Sequence, residues 1–305
     1  MQVGIMVPQG WKREYDGHAP VAAWADALAK ARQAEALGFE SSWLFDHFTT
    51  VPDPVDEITF EAFTMLAALA QATARVRLGH MVICTGFRNP ALTAKMASTL
   101  DVISGGRFEL GIGAGWKEDE WVSYGYDFPS LPERLATLGD HLEVISRMLA
   151  PGRATFHGRR ARVIGAINEP KGAGGHIPVI VGGNGKNVTF RLAARFADEL
   201  NLVYLDPNEV AAIVPIARQR CEEIGRDPAS LRISLYCADG AVGGSGQERA
   251  DRVAAFAALG LDRLIGFPSR WDMSDDGLPR FAEDCRTAGV EIGQAAAVEV
   301  AAGAG

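Results

Sequence analysis

The sequence has few cysteines, and it shows neither long apolar runs nor a pattern typical of a signal peptide. Its four cysteines are far apart and form no CxxC pair, which argues against a zinc site or a redox motif. No stretch approaches the roughly 18 apolar residues of a membrane span. The N-terminus, MQVGIMVPQGW, has no basic region before its apolar residues and is not typical of a signal peptide. The sequence therefore predicts a cytoplasmic protein with no metal site and no membrane contact.

Positive charge is scarce as well. Across 305 residues, 30 Lys and Arg stand against 38 Asp and Glu, which gives a net charge of −8. Such a charge repels phosphate backbones, and no basic stripe offsets it, so nucleic acid is excluded as a partner. Hydrophobic residues make up 48% of the chain, and no break in composition divides it. We therefore expect a single domain over residues 1–305 with a large core.

A dinucleotide-binding fingerprint is also absent. No GxGxxG follows the first strand, where VPQGWKREY stands instead, so an open doubly wound sheet is only the second choice. What the chain has is an alternation of strand and helix patterns. In its clearest unit, a buried strand from Val76 to Cys84 precedes a helix from Pro90 and a second buried strand from Arg107 to Ile112. Two buried strands joined by a helix indicate a parallel crossover.

The alternation occurs eight times, which predicts an α/β fold of the (β/α)8 TIM-barrel type. Two of its helices are expected from about Ile58 to Ala72 and from about Lys186 to Phe196. An irregular stretch at about 151–176, between strands four and five, is too long for an ordinary loop and predicts an insertion. The Gly/Ala-rich tail at about 295–305 is expected to be frayed.

The active site of a TIM barrel lies at the carboxyl ends of its strands, so the residues that follow each strand are the candidates. His47, beside Asp46 behind strand two, is either a structural or a functional histidine. The GGNG run at 182–185 either binds a phosphate through its exposed amides or forms an ordinary turn. The GIGAG run at 111–115 either makes room for a flat ring or bends the strand end.

Three further groups follow strand ends. The indoles of Trp11, Trp116 and Trp271 either line an aromatic pocket or pack an inserted loop. Cys84 has no evident base beside it, which disfavours a nucleophilic role. The acidic run EDE at 118–120 fits a solvated turn better than a metal site.

Three segments occur in a fixed order along the chain. They are SSWLFDHF, then RVRLGHMVICTGFRNPALTAKMASTLDVISGGRFELGIGAGW with a nearby YG at Tyr124, and then PVIVGGNG before RLAARFADELN. As an ordered set, from about Met1 to Leu202, they resemble the bacterial luciferase-like superfamily, and within it the coenzyme F-420-dependent oxidoreductases. The resemblance implies a TIM barrel whose mouth holds the ring system of a reduced flavin or deazaflavin.

The resemblance also implies roles for single residues. His47 would be the catalytic residue near the reacting centre, and Asp46 would contact the ring. The ring would lie against a bulge in strand three, with a non-proline cis peptide at about Met81-Val82. In sugar-phosphate dehydrogenases of the family a glutamate acid stands where this chain has Trp116, so neither their substrate nor that acid is implied. The other cofactor contacts are Ala114, Gly115 and Tyr124, and at the phosphate Asn184 with the amides of Gly182 and Gly183.

These roles predict an oxidoreductase in which reduced coenzyme F-420, a 5-deazaflavin, passes a hydride to an electron-poor C=C, C=O or C=N bond of a small organic substrate. The alternative keeps the fold and uses reduced FMN, supplied by a flavin reductase, in a two-component monooxygenase. A third possibility is a non-catalytic flavin-binding barrel. A homodimer is implied as the assembly. Basic residues of the insertion either meet the acidic tail of F-420 or form a solvated loop: Arg153, Arg159, Arg160, Arg162 and Lys171.

Overall fold

The computed structural model of the protein describes residues 1–237, 242 and 244–293, apart from the side chains of Ser269 and Trp271. The tail at about 295–305 and the pocket role considered for Trp271 lie outside the described residues. Within them, no helix has both the length and the apolar character that crossing a membrane requires.

The strands and helices alternate along the described chain as the sequence predicted. The strands are β1 (Gln2–Met6), β2 (Ser41–Leu44), β3 (Arg77–His80), β4 (Ile83–Cys84), β5 (Phe108–Gly113), β6 (Ala154–His157), β7 (Arg162–Ala166), β8 (Val179–Gly182), β9 (Glu199–Val203), β10 (Arg232–Tyr236) and β11 (Arg263–Gly266). The helices are α1 (Pro20–Leu37), α2 (Ala62–Ala72), α3 (Pro90–Ser104), α4 (Glu118–Ser123), α5 (Leu131–Leu149), α6 (Thr189–Phe196), α7 (Pro207–Glu222), α8 (Gln247–Ala258), α9 (Pro268–Trp271) and α10 (Gly277–Thr287).

The parallel strands close into a barrel. Hydrogen-bonded neighbours follow the order β3-β2-β1-β11-β10-β9-β8-β5-β4, and an additional pairing of β3 with β5 closes the ring. Because β4 continues β3 after a break, the ring has the eight strand positions of a TIM barrel. The predicted fold class is confirmed, and the open doubly wound sheet is excluded.

Local signals at the helix ends act as the sequence analysis expects. α1 ends at Gly38, whose φ of 92° suits a left-handed C-cap. α3 starts at Pro90 after Asn89, whose side chain accepts hydrogen bonds from the two following helix amides. It ends at Gly105, with φ of 67°. These residues fix where the helices of the central unit begin and end.

The start of α2 differs from the prediction. The helix begins at Ala62, not at Ile58, because Glu61 provides an N-cap that the apolar pattern does not reveal. The Glu61 carboxylate accepts hydrogen bonds from the amides of Phe63 and Thr64, and such a cap stabilises a helix by about 1 kcal/mol. The segment before Ala62 therefore stays irregular and joins the wall of loops around the barrel mouth.

The insertion between strands four and five contains an antiparallel hairpin, formed by β6 and β7. It folds back along α5, where the Arg160 amide donates a hydrogen bond to Asp140. The Arg160 side chain pairs with Glu133 at 2.9 Å, and Lys171 donates to the carbonyl oxygen of Met148 at 2.9 Å. The hairpin thus covers a helix, and these two basic side chains are engaged there and not at the barrel mouth.

Charged side chains fill the amino-terminal end of the barrel. Arg263 is fully buried, and its guanidinium nitrogens lie 2.8 Å from Glu109, 3.0 Å from Glu199 and 3.0 Å from Glu40. Burial acts to raise the pKa of Glu109, but the charges of Arg263 and Arg77 outweigh it and lower that pKa to about 2. The arginine and glutamate charges of this network compensate one another, as buried charges require.

Trp43 fills the next layer of the barrel and forms the floor of its mouth. The ring lies 5.1 Å from the guanidinium carbon of Arg263, and its Nε1 donates to the Ser41 hydroxyl at 2.8 Å. A Cβ atom on Gly79 would lie 2.3 Å from the Trp43 ring, so glycine is required beside the indole. This packed layer separates the ion network from the cavity above it.

Candidate active site

A cavity of about 420 Å³ opens at the carboxyl ends of the barrel strands. Its wall is largely apolar and aromatic, with Trp11, Phe45, Phe87, Trp121 and Tyr236 among its residues. TIM-barrel enzymes carry their catalytic groups at this end. The size and character of the cavity suit a flat organic ligand.

Most of the predicted site residues meet at this cavity. The predicted residues on its wall are Asp46, His47, Met81, Val82, Ala114, Gly115, Gly182 and Gly183. Two others are not among the described lining residues. Tyr124 is exposed and packs against Phe48, with 4.4 Å between the ring centroids. The side chain of Asn184 anchors its loop to β9: Nδ2 donates to the Val203 carbonyl at 2.8 Å, and Oδ1 accepts from the Val203 amide at 3.0 Å.

Asp46 is a buried carboxylate held by an arginine that the sequence analysis did not single out. Arg88 donates to both of its oxygens, at 2.7 and 2.9 Å, and the Cys84 amide donates to Oδ2 at 2.8 Å. Arg88 also pairs with the helix cap Glu61 at 3.0 Å. Burial acts to lower the pKa of Arg88, but the two carboxylates outweigh it and raise that pKa. Asp46 is thereby a fixed, neutralised acceptor on the wall.

His47 is oriented by contacts from two other segments. Its imidazole stacks on Trp11, with 4.1 Å between the centroids and 1° between the ring planes. Its Nδ1 lies 2.7 Å from Glu120 Oε2. Trp116 approaches edge-on at 5.7 Å and stands exposed at the cavity mouth. His47 is thus hydrogen-bonded and stacked, and its ring also forms part of the cavity wall.

The prediction of a solvated acidic turn at 118–120 is wrong for Glu120. The segment forms α4, and Glu120 is fully buried on its inner face while Glu118 and Asp119 stay exposed. Its neighbour Trp121 is buried against Cys84 and Phe87. In the sequence, the signal that one side of this segment faces inward is the large apolar side chain of Trp121 directly after the acidic run.

The side chain of Val82 leaves no space for a Cβ atom at two neighbouring strand ends. The peptide bond between Met81 and Val82 is cis, as the resemblance implied. A Cβ atom would lie 2.7 Å from Val82 Cγ2 if placed on Gly113, and 2.9 Å from Val82 Cγ1 if placed on Gly182. On Gly111 it would lie 1.9 Å from the His80 carbonyl oxygen, so that glycine is required by the backbone of β3. Gly113 and Gly182 therefore make room for Val82, whose side chain lies on the cavity wall beside them.

The loop after β8 departs from the phosphate role given to its first glycines. The Gly183 amide donates to the Asn201 carbonyl at 2.9 Å, so this amide is already occupied, and the prediction that it holds a phosphate does not fit. α6 starts at Thr189, later than predicted, and has no side-chain cap. Gly185 and Thr189 both line the cavity. The Phe190 amide at the start of α6 donates to the Gly185 carbonyl at 3.0 Å, which leaves the amides of Thr189 and Arg191 as the candidates for an anion.

Cys84 lies on the cavity wall as a protonated thiol. Burial raises its pKa to about 12, and only a thiolate is an effective nucleophile. A Cβ atom on Gly115 would lie 2.4 Å from the Cys84 sulfur. The thiol therefore packs against the strand-four edge, and its raised pKa disfavours a nucleophilic role.

Comparison with known proteins assigns the family. Residues 1–268 match the sequence profile of the luciferase-like monooxygenases. The chain belongs to the luciferase-like monooxygenase family. Among curated proteins, this luciferase-like enzyme is similar to the uncharacterized protein Rv0953c of Mycobacterium tuberculosis. The two are 31% identical over 259 residues, which cover 79% of this chain and 87% of that protein.

Two further proteins extend the comparison. The F420-dependent glucose-6-phosphate dehydrogenase of Intrasporangium calvum is 33% identical over 196 residues, covering 63% of this luciferase-like chain and 57% of that protein. Among solved structures, an F420-dependent secondary alcohol dehydrogenase in complex with an F420-acetone adduct superposes with a TM-score of 0.79 at 20% identity. That superposition covers 94% of this chain and 98% of the other, so the luciferase-like barrel is shared along nearly its whole length.

Proposed function

We propose that this enzyme uses reduced coenzyme F-420 to reduce an electron-poor C=C, C=O or C=N bond in a small, uncharged organic molecule. When bound, the deazaflavin ring would supply the hydride. The observation that carries the proposal is the position of His47, a fixed imidazole on the wall of a largely apolar cavity. An acceptor that takes a hydride must also take a proton, and imidazole exchanges protons near neutral pH.

The cavity residues fit a flat ring with an anionic group to one side. Val82 offers an apolar face, and Ala114 and Gly115 line the wall without bulky side chains. Asp46 is fixed in place by Arg88 and presents a hydrogen-bond acceptor. The start of α6 would hold the cofactor phosphate. Together these residues would bind the cofactor and exclude water from the reacting atoms.

The charges on the cavity wall favour an uncharged substrate. Each charged side chain among the described lining residues is paired: Asp46 with Arg88, Glu120 with His47, and Lys117 with Asp119. A phosphate or carboxylate on the substrate would meet no uncommitted cation there. The Intrasporangium calvum relative is named for glucose 6-phosphate, and we propose that this enzyme acts instead on neutral molecules that pack against Trp116 and the other aromatic side chains.

The family name supports a second candidate, a monooxygenase that uses reduced FMN. The same cavity would hold the shorter FMN, because the ring face and the phosphate position serve both cofactors. The homodimer, the flavin reductase partner and the cytoplasmic location stay predictions from the sequence.

Anaerobic turnover tests the proposal. We expect the protein to oxidise reduced F-420 in the presence of a neutral enone such as cyclohexenone, and not to reduce F-420 with glucose 6-phosphate. His47→Ala should lower turnover by roughly 100-fold to 10,000-fold while F-420 still binds. His157→Ala, an exposed histidine on β6, serves as the matched control. Turnover confined to reduced FMN and oxygen would reject F-420 in favour of the second candidate.

A further inference from the structure

The imidazole of His47 has one nitrogen engaged and one available. Its Nδ1 is held by Glu120 at 2.7 Å, and one face of the ring is covered by Trp11. No hydrogen bond from the described residues reaches Nε2. Because the ring lines the cavity, Nε2 is the atom left to a ligand.

Glu120 acts toward this ring as an ionised acceptor. Its Oε1 accepts hydrogen bonds from the amides of Phe48 and Thr49 and from the Thr49 hydroxyl, each at 3.1 Å. Lys117 Nζ lies 3.9 Å from the same oxygen. Burial acts to raise the pKa of Glu120, but the hydrogen bond from His47 and the backbone amides outweigh it and lower that pKa. An ionised carboxylate can only accept, so the proton between the two side chains lies on Nδ1.

We propose that Glu120 is a positioning residue, which keeps a proton on Nδ1 of His47 in both protonation states and thereby makes Nε2 the atom that exchanges a proton with the substrate. The inference rests on the proposed function. When bound, the reduced deazaflavin would supply the hydride for a new C–H bond at one atom of the double bond, and would be oxidised by two electrons. The Nε2–H bond of the imidazolium breaks, and its proton joins the other atom. Neutral His47 then takes a proton from water.

Glutamine at position 120 should reverse the tautomer. The carboxamide oxygen of Glu120→Gln can stay on the three donors of Phe48 and Thr49, which turns its NH2 group toward His47. An NH2 group only donates, so Nδ1 must become an acceptor and the ring proton must move to Nε2. The wrong nitrogen then faces the substrate, although the volume of the side chain is unchanged.

Nitrogen-15 NMR of the protein without cofactor measures which nitrogen of the His47 imidazole carries the proton. The His47 signals are assigned as those that are missing from the spectrum of His47→Ala. In the neutral ring we expect a protonated Nδ1 and a bare Nε2 for the wild type, and the reverse for Glu120→Gln. A bare Nδ1 in the wild type, or the same tautomer in both proteins, would overturn the proposal. If Glu120→Gln folds poorly, the wild-type spectrum alone still shows whether Nδ1 of His47 carries the proton.

Kinetic measurements test whether Glu120 acts through His47 or has a separate role in turnover. Glu120→Gln should lower kcat roughly 100-fold, while the Kd of F-420 and the KM of the substrate change by less than about threefold. In the His47→Ala background the same substitution should have no further effect, because it acts through His47. Glu118→Gln, on the exposed side of the same helix, is the matched control. An equal loss in both backgrounds would contradict the proposal. Absence of any F-420 activity in the wild type would reject the proposed function, whereas the tautomer measurement would still decide the role of Glu120.

Discussion

Adding one methyl group at Gly113 should close the cavity from below, because Val82 already occupies the space beside it. An ideal Cβ atom on Gly113 would lie 2.7 Å from Val82 Cγ2, about 1 Å closer than two carbons pack. Gly182 borders the same side chain, since a Cβ atom built there would lie 2.9 Å from Val82 Cγ1. The open side is the cavity, so we expect Val82 to move into the volume that the cofactor ring would fill.

Overpacking of this kind costs about 1–3 kcal/mol. If the displaced Val82 meets the ring, Gly113→Ala should weaken F-420 binding by roughly tenfold to 100-fold. Removing the obstructing methyl groups with Val82→Ala should restore most of the affinity in the double variant. Fluorescence titration with F-420 gives the Kd of each protein, and thermal unfolding reports whether the barrel stays folded.

A matched glycine outside the site gives the control. A Cβ atom on Gly139 of α5 would meet Leu192 at 3.5 Å, an ordinary contact, so Gly139→Ala should leave F-420 binding unchanged. The reasoning is refuted if Gly113→Ala binds F-420 as tightly as the wild type. It is refuted equally if the double variant with Val82→Ala binds as weakly as the single one.

Two further predictions concern the stability of the barrel. Arg263→Met removes the guanidinium that lies between the buried Glu109 and Glu199 and leaves each with one arginine at the edge of the network, Arg77 and Arg232, so urea denaturation should show a loss of about 3–5 kcal/mol. Arg191→Met removes an exposed ion pair and should change stability by less than about 1 kcal/mol. Burial lowers the pKa of His80 from 6.5 to about 4. Between these two pH values the unfolded state binds a proton at this residue and the folded state does not. The free energy of unfolding therefore falls as the pH drops through this range. Between about pH 7 and about pH 5 the wild type should lose about 2 kcal/mol more than His80→Phe, and equal losses would contradict the assignment.

The fold could be predicted because its signals are local. The Asn89-Pro90 start and the Gly105 end of α3 are consecutive residues acting on one helix. Eight repetitions of such units leave few arrangements open, because a parallel strand pair joined by a helix has one handedness. The same logic predicts that His47 and Asp46 lie at the barrel mouth.

The pairings that make the site work are not local. Glu120 and His47 are 73 residues apart, and periodicity does not say which side chains of two loops will meet. Arg263 and Glu109 are 154 residues apart. In the sequence each is a single charge within an apolar strand pattern, and only the closed barrel brings the two together. The sequence does not reveal that the Gly183 amide donates to the Asn201 carbonyl, because that contact depends on the register of β8 and β9.

Binding of the two cofactors tests the central claim most directly. The purified protein is titrated with F-420 and, separately, with FMN, and the fluorescence of each cofactor is followed. The account predicts tight binding of F-420. Tight binding of FMN alone would contradict the account and assign the cavity to a flavin monooxygenase.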